Sequence, residues 1–153
     1  MSDSQPQIRH ATQDDREVLV RFQLAMAQES EDKGLDATVL GHGIQHLLEQ
    51  PAEGFYLVAE IKGVAAAALM VTYEWSDWRN GRFWWIQSVY VDANFRRRGI
   101  YSALHHWVRS AAKADAEACG IRLYVERENL GAQATYRALG MTETDYRLFE
   151  EEF

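Results

Sequence analysis

Val91-Asp92-Ala93-Asn94-Phe95-Arg96-Arg97-Arg98-Gly99-Ile100-Tyr101-Ser102-Ala103-Leu104 is the stretch on which the reading of this chain turns. Before it lies Phe83 to Val91, a near-continuous apolar run, as expected of a central strand covered on both faces. After it, Leu104, Trp107, Val108 and Ala111 recur at helical spacing and predict a helix from Gly99 to about Ala118. A glycine-containing turn between strand and helix can hold phosphate. The first N–H groups of a helix lack internal partners and point beyond its N-terminus. The helix dipole attracts an anion there, and glycine lets backbone approach it closely. Arg96, Arg97 and Arg98 add guanidinium groups, which pair well with phosphate. A solvated charged turn ahead of a helix is the other reading of the same residues. The stretch is neither a Walker loop nor a dinucleotide-binding GxGxxG.

Working outward, Gln7 to Ala11 reads as a short strand and Thr12 as a helix N-cap, with Asp14 and Asp15 in the first turn. Helices are predicted over Asp15–Glu29 and Asp36–Glu49, the second ended by Pro51 and Gly54. Phe55 to Ile61, Lys62-Gly63 and Val64 to Tyr73 form a hairpin pattern. Ala65 to Ala68 favours helix on its own, but the tight turn before it and Leu69 to Tyr73 after it make it strand. Asn80-Gly81 signals a second hairpin. Beyond the long helix, the pattern predicts a strand over Ile121–Val125, a helix over Asn129–Leu139 capped by Asn129 and ended by Gly140, and a last strand over Met141–Glu150. A hairpin meander among helices implies an α+β fold around one sheet, with a parallel crossover through the long helix.

Composition bounds the function. The 153 residues fit one domain, and 47% are apolar, enough for a core. A net charge of −7 argues against non-specific nucleic-acid binding, and no apolar run approaches a membrane span. One cysteine, Cys119, allows no intrachain disulfide, so a reducing compartment is the default. The polar start lacks the apolar stretch of a signal peptide, and the expected location is cytoplasmic. Cys119 precedes Gly120 at the expected end of the long helix and reads as a spacer rather than a catalytic thiol.

Arg96 and Gly99 match the (Q/R)-x-x-G-x-(G/A) motif, and Asn129-Leu130-Gly131-Ala132 with Tyr136, Leu139, Gly140 and Met141 matches N-x-x-A-x-x-x-Y-x-x-x-G-(F/M). With the order of elements, these segments resemble the GNAT family of acetyl-coenzyme A-dependent N-acetyltransferases across nearly the whole chain. Tyr101 departs from the family's glycine or alanine. The resemblance implies one domain over residues 1–153, with a mixed, mostly antiparallel sheet of six or seven strands flanked by about four helices.

It also implies roles. The donor is acetyl-CoA and no metal is needed. Backbone N–H groups of about Arg97, Arg98, Gly99, Ile100, Tyr101 and Ser102 hold its pyrophosphate beside Arg96. The pantetheine arm adds to the strand end at Val89, Tyr90 and Val91, which requires an open strand edge. Asn129 caps its helix and contacts the cofactor. Tyr136 stands near the thioester sulfur, where a phenol protonates the leaving thiolate; its structural reading is an amphipathic core residue. A primary amine, of a small molecule or peptide, is the acceptor, and a homodimer is compatible with the family. The general base is expected at Glu74, with Glu126 as the other candidate, because Gln87-Ser88 holds the middle of the central strand without an acid. Glu29 and Glu31 are either a cation-recognising wall or a solvated charge cluster. Against the enzyme stand a non-catalytic acyl-CoA sensor, which need not keep Tyr136, and an interaction domain using the tryptophans, which needs no phosphate site.

Overall fold

The computed structural model describes residues 4–153. Lys62 and Gly63 both take positive φ, 50° and 77°, the turn geometry whose twist suits adjoining antiparallel strands. They join β2 (Gly54–Ile61) to β3 (Val64–Ser76). A second turn, with Asn80 at φ 48°, leads into β4 (Gly81–Val91). The meander β2–β3–β4 is antiparallel throughout, and β1 (Gln7–His10) adds to β2 in the same sense. The crossover expected from the sequence is present: β5 (Ala118–Arg122) runs parallel to β4. Strand order in the sheet follows chain order, β1-β2-β3-β4-β5.

The sheet therefore has five strands among the described residues, not the six or seven expected. The segment 141–150, read as a last strand, is irregular. A strand exists only as a member of a ladder, and no pairing is formed there. The long helix is also shorter than expected. It spans Ile100–Ala114 and is stopped by Asp115, whose carboxylate takes the Glu117 N–H (3.0 Å) and reaches Arg82 (3.2 Å) and the Trp84 indole (3.3 Å) on β4. Stopping there brings β5 forward to Ala118, ahead of the predicted Ile121. Cys119 and Gly120 accordingly lie in β5, not at a helix end.

Helices cover both faces. Thr12 caps a 3-10 turn at Gln13–Asp15 with a reciprocal capping box. Helix α1 (Arg16–Glu31) follows, then α2 (Ala37–Glu49), capped by Asp36. Leu19, Phe22, Ile44 and Leu47 from these helices pack on Tyr56, Val58, Ala68 and Tyr90. The other face carries α3 (Ile100–Ala114), whose Ile100, Leu104 and Val108 pack on Leu57, Ala67, Leu69 and Ile86. Ala66, Ala67 and Ala68 are fully or almost fully buried in β3. Burial between layers overrides the helix preference of alanine, because strand geometry places these methyls against both cores.

The chain forms two compact units divided after Leu123. The first holds the sheet and α1 to α3. The second holds α4 (Leu130–Ala138), N-capped by the Asn129 side chain on the Ala132 N–H at 3.1 Å. Gly140, at φ 95°, and Met141 close its end by donating to the Arg137 and Tyr136 carbonyls, both at 3.0 Å, a Schellman arrangement. Among the described residues, no helix is long and apolar enough to cross a membrane.

Candidate functional site

The arginine turn is shaped by its backbone. Asp92 anchors it, donating its N–H to the Ala66 carbonyl at 2.8 Å and accepting the Asn94 N–H at 2.9 Å. After a short 3-10 turn at Ala93–Phe95, Arg97 and Gly99 both take left-handed conformations, φ 63° and 73°. Gly99 is the N-cap of α3, and no side chain caps that helix. Among the described residues, no heavy atom apart from Gly99, its chain neighbours and the adjoining helix backbone lies within 4 Å of where a Gly99 Cβ would stand. The Ala103 N–H already reaches the Gly99 carbonyl at 3.1 Å, so the first-turn donors of α3 are those ahead of it. An uncapped helix start with open space at its glycine fits a diphosphate.

The three arginines differ. Arg97 and Arg98 are exposed, with Arg98 lying 5.5 Å over the Phe95 ring. Arg96 is committed to the protein: Nε donates to the Val91 carbonyl at 2.9 Å and Nη2 to Glu29 at 2.5 Å. Glu29 also accepts from the Tyr90 hydroxyl at 2.9 Å. The Arg96 and Tyr90 hydrogen bonds hold the Glu29 carboxyl below its usual range. Glu29, whose side chain is 45% exposed, is thus an ion-paired surface residue in a clamp from α1 to the end of β4.

The end of β4 carries a bulge. Met70 pairs with Gln87 and Ala68 with Tyr90, so one extra residue enters β4 opposite Leu69. β4 and β5 pair only from Arg82 to Trp85. Val89, Tyr90 and Val91 thus lie on a stretch of β4 whose far edge is not joined to β5, as an added strand-like arm requires. Tyr90 itself is buried, its ring 5.2 Å from Phe22.

The departure at Tyr101 has a local account. Its hydroxyl lies 3.2 Å from His105 Nδ1, and Arg109 lies 3.2 Å from His105 Nε2. Arginine only donates, so Nε2 accepts and Nδ1–H donates to Tyr101. His105 is 0% exposed, and burial, then the Arg109 and His106 charges, push its pKa down to about 4.

Glu74 lies on β3 opposite Phe83. Its Oε1 is held by Arg122 at 2.5 Å, and that guanidinium covers the Phe83 ring at 3.7 Å. From Phe83 to Val89 the strand runs about 20 Å at roughly 3.3 Å per residue. The turn and the β4 end are therefore brought together, and Glu74 is not among them. In the second unit, Tyr136 is half-buried on α4 and burial raises its pKa. Glu126 accepts the Glu128 N–H at 2.6 Å. Among the described residues, no group of three or more His, Cys, Asp and Glu is placed to hold a metal ion.

The model of the acetyltransferase (GNAT) family matches residues 16–141. The chain belongs to the GNAT acetyltransferase family. It is an acyltransferase that uses acetyl-CoA as donor. Among solved structures, a possible acetyltransferase from Clostridium difficile 630 is 44% identical, with a TM-score of 0.91, covering 98% of this chain and 99% of that one. A predicted acetyltransferase from Clostridium acetobutylicum, solved with acetyl-CoA, shares the fold at 20% identity and a TM-score of 0.78, covering 95% and 96%. Glucosamine-6-phosphate N-acetyltransferase from Arabidopsis thaliana does so at 18% identity and 0.73, covering 97% and 99%. No curated protein matches the chain.

Two features of this GNAT chain escaped the sequence reading. One is the bulge at Ser88; the polar pair Gln87-Ser88 in an apolar strand was its signal. The other is Gln23, a buried polar residue in register with Leu19 and Phe22 on α1. A polar residue on a core-facing helical position implies a specific partner.

Proposed function

We propose that this acetyltransferase moves the acetyl group directly onto a primary amine of a small molecule, amino acid or peptide in a ternary complex, acting as one catalytic domain over residues 1–153. The observation that carries the reading is the uncapped start of α3 at Gly99, which follows a β4 edge left open beyond Trp85. The N–H groups from Arg97 through Ser102 hold the donor's diphosphate, with Arg97 and Arg98 beside it. Arg96 shapes the turn through Val91 and Glu29. Val89, Tyr90 and Val91 take the pantetheine arm along the open edge.

The amine nitrogen then bonds to the thioester carbon, the C–S bond breaks, and the thiolate leaves. By the family resemblance, Asn129 contacts the donor and Tyr136 gives the thiolate its proton; a phenol is protonated at neutral pH, and burial raises its pKa further. The ion pair with Arg122 and the span to Val89 favour Glu74 at the acceptor wall. There its carboxylate, already paired with Arg122, shapes the pocket for the amine's remote end, and any proton it takes from the amine must pass along a chain of waters.

The test is thiol release from acetyl-CoA against a panel of amines, amino acids and peptides, with donor affinity measured by calorimetry. Donor binding with no thiol release across the panel would favour the sensor. On the best acceptor, Tyr136→Phe is expected to lower kcat about tenfold or more with donor affinity within about twofold. Glu74→Gln is expected to raise the acceptor's KM instead. Wild-type kcat in Tyr136→Phe removes the leaving-group role, and an unchanged KM in Glu74→Gln removes the wall.

A further inference from the structure

The bulge in β4 has a buried partner on α1. Between Gln87 and Tyr90, neither Ser88 nor Val89 has a register partner on β3. Ser88 takes φ 54°, a left-handed conformation that strains any residue with a Cβ. Its carbonyl accepts a hydrogen bond from Gln23 Nε2 at 2.9 Å. Gln23 is 5% exposed, beside Phe22 in the helix face that packs on the sheet. A buried amide is costly unless it is bonded, and strain held in place by a buried side chain points to a site where geometry matters.

A trans peptide sets its C=O and N–H on opposite edges of one plane, and the chain has no cis bond among the described residues. Holding the Ser88 carbonyl toward α1 therefore turns the Val89 N–H away from α1. We propose that Gln23 is a positioning residue for acetyl transfer, locking the Ser88–Val89 peptide so that the Val89 N–H meets the carbonyl oxygen of the donor thioester. This rests on the donor site proposed above. A donor fixed in advance stabilises charge developing on that oxygen without reorganising during the reaction. Without Gln23, the Ser88–Val89 peptide is free to turn about ψ of Ser88 and φ of Val89, which carries the Val89 N–H away from the thioester oxygen.

Gln23→Met keeps the size and removes the hydrogen bond. The probe is acetyl-CoA labelled with 13C at the acetyl carbonyl, read by difference infrared spectroscopy on the bound complex. In the wild type the carbonyl stretch is expected to lie lower than in free acetyl-CoA. In Gln23→Met most of that shift should vanish and kcat fall about tenfold, with donor affinity within about twofold. The same shift in both proteins overturns the proposal, as does an unshifted stretch in the bound wild type. If acetyl-CoA fails to bind the wild type, the donor site itself falls. Should Gln23→Met not fold, it is made in a Ser88→Gly background, where glycine carries the positive φ without strain. The shift must then be present in Ser88→Gly alone and lost in the double variant; its survival there overturns the proposal equally.

Discussion

His105 shows how much a single side chain can say about pH. It is fully buried between Tyr101 and Arg109, and its pKa is held at about 4, against 6.5 for the free side chain. Between those values the unfolded chain binds a proton that the folded chain refuses. Stability is therefore expected to fall as pH drops from 6.5 toward 4. His105→Gln, which keeps a donor and an acceptor, should lose that part of the slope in urea midpoints measured across this range. Parallel wild-type and variant curves would contradict the buried, neutral assignment. Residue identity was legible in the sequence where chemistry is local. Thr12, Asn129 and Gly140 could be read as caps from type and spacing alone, and all three serve as caps. His105, Gln23 and Glu29 could not be read, because their partners lie on other elements or depend on which helix face is buried.

The element proposed to bind the donor is the junction of β4 with α3. Its geometry needs φ 73° at Gly99, and a branched side chain there is strained and stands where the diphosphate is expected. Gly99→Val is expected to weaken acetyl-CoA binding at least about tenfold by calorimetry, a loss of roughly 1.4 kcal/mol. Unchanged affinity in a protein that still melts cooperatively would remove the phosphate-turn assignment. At this scale the sequence reading succeeded where periodicity and turn chemistry agree, as in Lys62-Gly63 and the alanine run of β3. It failed where an element ends or pairs by tertiary contact. Asp115 stops α3 through Arg82 and Trp84 on β4, which no local pattern reports. The segment 141–150 has strand-like residues but no ladder, and a ladder is a property of two segments.

At the scale of the molecule, a chain of net charge −7 is proposed to receive a polyanion through a turn of three arginines. The two fields act over different distances. Screening at about 0.1 M salt sets in near 10 Å, so the adjacent guanidinium groups should outweigh the dispersed acids. Acetyl-CoA affinity is expected to fall several-fold between low and high salt, measured by calorimetry at fixed pH. A rise would mean that the overall charge dominates. The order of the sheet has a further consequence, for the time the chain takes to fold. Strand order equals chain order, and β2, β3 and β4 are joined by tight turns. Their contacts close small loops and so form early. Parallel pairing of β5 must wait for α3 to bridge the sheet, and β1 for two helices to pass. The barrier to folding should therefore be crossed when the meander is already paired, and late closure of β4 on β5 should leave the amides bonded between Arg82–Trp85 and Ala118–Arg122 as the last of the sheet to gain protection.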